Sequence, residues 1–315
     1  MLRIVAVSTL LAVPCLASAQ AYPSRPIRMI VASTPGSGVD IVSRMMATRM
    51  SETLKSTLVV DNRAGAGGTI GCQITAKAPP DGYTILMAAP SMTINALLVK
   101  PAPYDAVRDF AAIGQATTSH YVIVVNPSLP VKNVKELIAL ARAKPGQLNY
   151  GSGGNGNSTH LAGEYFKGLT GTDIVHVAYK GSGPAIVDLI GGQVQVMFAN
   201  VVAVLTHMRS GKLRALATTG PKRAAATPDL PTVAESGVPG YVVTSWFGLV
   251  APAHTRDAQI AKLNAALVSA LQDRETIDRL AADGAEPAAG TPDAFSRHIA
   301  AELAIWGKVM KASGL

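Results

Sequence analysis

The sequence predicts an α/β protein of two lobes, each with a largely parallel sheet. Three observations carry that expectation. Short apolar runs rich in β-formers alternate with helical stretches. The alternation restarts after Phe110, so that one lobe repeats the other. Glycine-rich turns at 34–40, 62–68, 151–159 and 180–184 each leave a strand and open a helix. In open sheets of this kind, ligands bind beyond the carboxyl ends of the strands, where helix N-termini also gather. If the lobes face each other, these turns converge on one cleft.

The chain opens with an export signal. Arg3 gives a positive start, residues 4–13 form an apolar core too short to span a bilayer, and Ala17-Ser18-Ala19 offers a cleavage site. The signal peptide is therefore read as 1–19 and the mature chain as starting at Gln20. Cys15 leaves with it, since Pro14 is a poor fit to a lipoprotein processing site. Cys72 then stands alone, which excludes an intrachain disulfide or a cysteine metal cluster. Set among Ile70, Ile74 and Ala76, it reads as a small buried hydrophobe. The mature length, about 296 residues, suits two ordinary domains. The expected division is 20–122 plus 245–315 for the first and 123–244 for the second.

Composition narrows the class. Only 15% of residues are charged and no later apolar run is long enough to cross a membrane, so the expectation is a soluble, exported monomer. The formal charge of +8 becomes +7 without Arg3. Its cations are scattered, with no basic stripe interleaved with aromatics, which argues against nucleic acid. The excess is a solvated surface or a mild field favouring anions.

In order, residues 27–32 read as a strand buried on both faces, followed by a turn and a helix carrying Ile41, Met45 and Met50. Residues 58–61, 62–68 and 70–77 repeat strand, turn and helix. Pro79-Pro80-Asp81-Gly82 turns the chain into a third strand at 83–88, and the small polar residues 91–95 read as a loop. Residues 113–125 form one long extended segment able to cross between lobes. Val134, Leu137, Ile138 and Ala141 then mark an amphipathic helix that Lys144-Pro145-Gly146 ends. Strands follow at 148–150, 174–179, 194–198 and 213–218, with helices between them. Residues 221–240 read as a surface loop and 244–250 as a second crossing. Ile260 to Leu271 and Phe295 to Met310 mark two closing helices, whose aromatics are core faces.

The loop from Gly151 to His160 holds the sharpest motif. Gly151, Gly153 and Gly156 spell the dinucleotide pattern G-x-G-x-x-G, and the unpaired amides of such a turn suit an anion. A nicotinamide enzyme would need an acidic residue at the carboxyl end of the next strand, yet Tyr179-Lys180 stand there and Asp173 precedes it. The six histidines show no zinc spacing, and no G-x-S-x-G elbow or Walker loop is present. His160 and His176, near the expected cleft, read as structural. No catalytic residue, metal ligand or cofactor site is assigned. The residues point to a binding protein that closes on a small anion.

Several motifs in order strengthen this. Tyr22-Pro23-Ser24-Arg25-Pro26-Ile27-Arg28, Asn62-Arg63-Ala64-Gly65-Ala66-Gly67-Gly68, Ala78-Pro79-Pro80-Asp81-Gly82-Tyr83, Val175-His176-Val177-Ala178-Tyr179-Lys180-Gly181 and Ser245-Trp246-Phe247-Gly248-Leu249 resemble the Bug family, periplasmic receptors of the tripartite tricarboxylate transporter type. The likeness covers essentially the whole mature chain. It implies a two-domain periplasmic-binding-protein (Venus-flytrap) fold in the periplasm. Such a receptor grips a small organic carboxylate between its lobes, partners integral-membrane transporter subunits and is not an enzyme. Alternatives are a ligand-sensing partner of a membrane signalling receptor, with the same pocket, or a secreted hydrolase.

By position, the resemblance implies ligand contacts at Ser33, Pro35, Gly36, Ser37, Gly67, Ser91, Met92, Ser152, Asn155, Ser158, Thr159, Tyr179, Lys180, Gly181, Asn200 and Trp246. Asn157 and Ser158 also read as plain helix caps, and Lys180 as a solvated helix-start residue. Two positions depart from the family pattern. The first loop usually reads Phe-Pro-Pro-Gly-Gly-Gly-Thr-Asp, but here Ser33-Thr34-Pro35-Gly36-Ser37-Gly38-Val39-Asp40 trades an aromatic for hydroxyls. Ala199 stands where an aspartate often precedes the Asn of a Met-Phe-Asp-Asn stretch. Its loss removes a partner for an ammonium group, so the expected ligand is a non-amino di- or tricarboxylic acid or an aromatic acid.

Overall fold

The computed structural model describes residues 21–313; the expected signal peptide at 1–19 lies outside them. In chain order the elements are β1 (Ile27–Val31), α1 (Gly38–Leu54), β2 (Leu58–Asn62), α2 (Thr69–Ala76), β3 (Thr84–Ala88), α3 (Pro90–Leu98) and β4 (Phe110–Val125). There follow α4 (Val134–Ala143), β5 (Leu148–Ser152), α5 (Ser158–Thr170), β6 (Ile174–Ala178), α6 (Ser182–Ile190), β7 (Val196–Asn200), α7 (Val201–Arg209) and β8 (Arg214–Thr218). The chain closes with β9 (Thr244–Pro252), α8 (Asp257–Gln272), α9 (Arg274–Ala282), β10 (Ala285–Pro287) and α10 (Pro292–Ser313).

Each lobe has three parallel strands, β2-β1-β3 in one and β6-β5-β7 in the other. The sheets are mixed because β4 and β9 enter antiparallel. The first part of β4 runs against β9, from Phe110 opposite Pro252 to His120 opposite Thr244. From Tyr121 to Val125 the same strand pairs with β7 and, on its other edge, β8. One long strand thus serves both sheets. The largest hydrophobic cluster follows it, from Met29, Met46 and Leu263 through Val122 and Val124 to Val201 and Val204.

Sequence and structure part in a few places. Residues 91–95, expected as a loop, belong to α3. Pro90 sits at the first helical position, where its missing N–H costs nothing, and the Thr93 hydroxyl and Asn95 amide donate back to the carbonyls of Pro90 and Ser91. The short α9 and β10 were not expected. Asp273 caps α9 by accepting the Thr276 N–H, and β10 adds three residues to the edge of β4. By contrast, α4 begins at the expected place because Asn133 accepts the Glu136 N–H while Glu136 accepts from Asn133 and Lys132.

α10 lies along both lobes. Phe295 and Ile299 pack with Trp246 and Phe110, while Trp306 and Met310 pack with Phe166 and Tyr241. Between them Glu302, 5% exposed, accepts the indole N–H groups of Trp246 and Trp306 on one carboxylate oxygen, each at 2.9 Å. A buried carboxylate needs such donors, and here they tie the helix to β9.

Candidate functional site

The wall from the first lobe begins where β1 ends. Ala32 and Ser33 lead into a turn whose Ser37 caps α1: its hydroxyl donates to the Thr34 carbonyl at 2.9 Å and accepts the Asp40 N–H. Gly38 and Val39 follow at the helix N-terminus. Beside them β3 ends at Ala88, and α3 presents Ser91 and Met92 from its first turn. The backing is apolar: Leu86, Ala88, Met92 and Cys72. Burial pushes the Cys72 thiol up to about 12, so it stays protonated and inert.

The second lobe supplies the opposite wall, which is polar. Asn157 caps α5, its Oδ1 accepting from the Thr159 N–H and hydroxyl, while Thr159 Oγ1 accepts the Gly153 N–H. Gly154 and Gly156 have φ of 111° and 75°, left-handed values that favour glycine. Beneath the loop lies a stack of rings. Tyr150 and His160 flank His176 at 4.9 and 4.1 Å between centroids. Ser152 Oγ lies 2.6 Å from His176 Nε2 and accepts the Gly154 N–H. His160 Nδ1 accepts the Gly156 N–H at 3.3 Å, which requires that nitrogen to be unprotonated. Burial lowers both histidines. His176 is pushed down to about 4, with the neighbouring His160 adding to the effect, whereas Glu164 works against it. The loop is held by neutral imidazoles.

The floor is made where the strands cross. Tyr121 is paired with Asn200 across β4 and β7, and Ser119 with Ser245 across β4 and β9. Asn200 Nδ2 donates to Ser119 Oγ at 3.0 Å and to Ser245 Oγ at 2.9 Å, while its Oδ1 caps α7.

These walls enclose a cavity of about 40 Å³ for the centres of water-sized groups, several times the roughly 10–15 Å³ one water requires. It is lined by caps or first turns of α1, α3, α5, α6 and α7 and, among the described residues, by no charged side chain. Asp40, just behind, is already engaged by the Gly36 N–H, Asn62 and Arg44. The positive ends of several helix dipoles and a set of hydroxyls therefore meet in a space without a compensating carboxylate.

The lobes touch around this cavity. Gly183 N–H donates to Thr34 Oγ1 at 3.2 Å. A Cβ on Gly67 would overlap the Asn155 carbonyl oxygen, and one on Gly156 would overlap Asn95 Oδ1. Backbone meets backbone along the seam.

Of the residues singled out in the sequence, Ser33, Ser37, Ser91, Met92, Ser158, Thr159 and Asn200 line the cavity together. Gly67, Asn155 and Gly181 lie on the seam, Gly181 packed against Thr34. Pro35 and Gly36 are exposed at the rim, and Ser152 is fully buried behind the loop. The Tyr179 hydroxyl donates to Asp188 at 2.7 Å and Lys180 is exposed; neither lines the cavity. Trp246 points into the core towards Glu302, because alternation along β9 gives the cavity face to its neighbours Ser245 and Phe247. Sequence reading missed Tyr121, Ser182 and Ser245. Ser119 and Tyr121 share a face of β4 by period-two spacing, but nothing local in the sequence marks that face as the cavity's.

The chain is similar to known proteins over nearly all of its length. Residues 42–315 match the family described as the tripartite tricarboxylate transporter family receptor. Protein BugT of Bordetella pertussis (strain Tohama I) is 40% identical over 299 residues, 94% of this chain and 92% of that one. The solved structure of R. palustris Rpa4515 with adipate is 37% identical, with a TM-score of 0.90 over 93% of this chain and 98% of that one. MatC from Rhodopseudomonas palustris with bound malate is 29% identical, with a TM-score of 0.87 over 91% and 99%.

Proposed function

Since the chain belongs to the tripartite tricarboxylate transporter receptor family, we propose that it is a periplasmic receptor that closes on a small, non-amino carboxylate and delivers it to membrane transporter subunits. The observation that carries the reading is the cavity itself. Five helix N-terminal segments and a ring of hydroxyls face a space lined by no charged side chain. Neutral donors and aligned dipoles stabilise an anion, and the cavity gives a ligand ammonium group no carboxylate partner. That favours dicarboxylates over amino acids. The compact volume favours a short chain over a tricarboxylic or aromatic acid. Adipate and malate in the two related structures are ligands of that class.

Binding in this reading requires no bond to be made or broken. Each hydrogen bond to a charged oxygen contributes about 1.5–3 kcal/mol, and micromolar affinity needs about −8 kcal/mol, so several converging donors with closure suffice. Thermal-shift screening of the purified protein tests it. Non-amino diacids are expected to raise Tm; strong stabilisation by glutamate or aspartate alone would overturn the ligand class, and turnover of the bound acid would overturn the receptor role.

A further inference from the structure

We infer that Tyr121, with Ser245, is a specificity-determining pair that selects ligands carrying a second oxygen acceptor in addition to the first carboxylate. The inference rests on the carboxylate-receptor reading and refines it. Tyr121 is 1% exposed and is one of the largest fully buried side chains, yet it lines the cavity. Its phenol, pushed up to about 12 by burial, keeps its proton at any physiological pH and lies within reach of the Ser158 and Ser245 hydroxyls. Asn200 fixes the direction of the cluster. Its Nδ2 hydrogens go to Ser119 and Ser245, so Ser245 Oγ accepts there and its own proton must be donated elsewhere.

Counting protons gives the consequence. Ser158, Tyr121 and Ser245 carry three hydroxyl protons, and two contacts of Tyr121 with the serines can take at most two of them. The third is left for the cavity. It faces a site lined by no charged side chain, so the group that completes it is an acceptor: a second carboxylate, a hydroxyl or a keto oxygen. A ligand with an alkyl group there leaves the proton unpaired in a buried site, and specificity through an unpaired buried donor is steep.

The experiment is isothermal titration of the purified protein with succinate and glutarate against butanoate and pentanoate, in wild type, Tyr121→Phe and Ser245→Ala. The wild type is expected to bind each diacid at least tenfold more tightly than the monoacid of equal length. Tyr121→Phe preserves the packing and is expected to lose about tenfold on the diacids and less than twofold on the monoacids. If Tyr121→Phe misfolds, Ser245→Ala carries the same expectation. Equal losses on both series, no loss on the diacids, or a wild type indifferent to the second group would each overturn the pair's role while leaving carboxylate binding intact. A wild type that binds none of the four acids would overturn the receptor reading and this pair with it.

Discussion

The two walls of the cleft do the same job with different chemistry. The first-lobe wall sets a few hydroxyls and helix amides on an apolar bed of Leu86, Ala88, Met92 and Cys72, none of which titrates near neutral pH. The second-lobe wall is polar at its face, with Asn157, Ser158, Thr159, Ser182 and Asn200, and rests on His160 and His176. One wall is a chemically inert platform. The other carries most of the side-chain donors and has its shape conditional on two imidazoles remaining neutral. Similar supersecondary units therefore supply an anvil and an adjustable jaw, and each substitution below asks whether that division holds.

The largest effect is expected where the walls meet. Gly67→Ala places a methyl group against the Asn155 carbonyl oxygen, at a residue whose φ is 65°. The left-handed strain costs roughly 1–2 kcal/mol, but the obstruction keeps the lobes apart. Diacid affinity should fall at least about a hundredfold, and the radius of gyration in small-angle scattering should no longer contract on ligand addition. Gly36→Ala is the control: its φ is 78° and nothing lies within 4 Å of the added Cβ. It carries the strain without the clash and should bind within about threefold of wild type. Equal losses in the two variants would mean that backbone strain, and not closure, is what matters.

Next comes the face of the polar wall. Ser158 stands at the first position of α5, lines the cavity and reaches Tyr121. Ser158→Ala removes one hydroxyl donor, which for a charged acceptor corresponds to about 1.5 kcal/mol, or roughly tenfold in affinity. Helix capping survives, because Asn157 and Thr159 make the cap. The first-lobe counterpart, Ser91→Ala, should cost less if the platform wall is the lesser contributor. Titration calorimetry of the two variants ranks the walls directly, and the reverse ranking would break the comparison.

These residues also show how far the sequence could be read. Strand, glycine turn and helix alternation announced both lobes, because apolar period and turn chemistry are local properties. Ser37, Ser158 and Asn200 cap or begin a helix after a strand and Ser33 follows the end of β1, but it was the family resemblance that singled the four out as ligand contacts. Tyr121 and Ser245 were not legible, since their proximity is made by β4 pairing with β9 and β7 across long sequence separations. Trp246 was misplaced in direction for a related reason. In a continuous apolar strand, which face is buried depends on register with a neighbour, and one step along β9 separates the cavity from the core.

A smaller effect should appear with pH, and at the cavity it comes through the second-lobe wall. Folding holds His176 and His160 below the ordinary histidine value of 6.5, as burial does for His120 and His298 away from the cavity. The unfolded chain therefore binds more protons between about 4 and 6.5, and stability rises with pH across that window. It is fully present above 6.5 and is lost as pH falls towards the folded value of His176, about 4. Protonating His160 also removes the acceptor of the Gly156 N–H, so ligand affinity should weaken several-fold between pH 7 and 5. Nitrogen-detected NMR of the ring should show His176 neutral until close to pH 4. A midpoint near 6.5 would show that the jaw is not held by neutral imidazoles, and the contrast with the platform wall would lose its basis.

The smallest effect is the most discriminating for how the anion is held. Lys180 is the lysine nearest to the α6 turn, and attraction between a cation and a carboxylate makes it the obvious candidate in a sequence. In the structure it is exposed and absent from the cavity lining, while Gly181 packs on Thr34 and Ser182 provides the lining group of that turn. An exposed charge outside the site is screened over about 10 Å at 0.1 M salt. Lys180→Ala should therefore change diacid affinity by less than about twofold at 0.15 M salt, and the dependence of affinity on salt should be shallow in both proteins. A tenfold loss, or a steep salt dependence abolished by the substitution, would mean that a formal charge does what the helix N-termini and hydroxyls are assigned here. A flat result leaves the discrimination among carboxylates to the geometry of neutral donors, which is where the difference between the two walls lies.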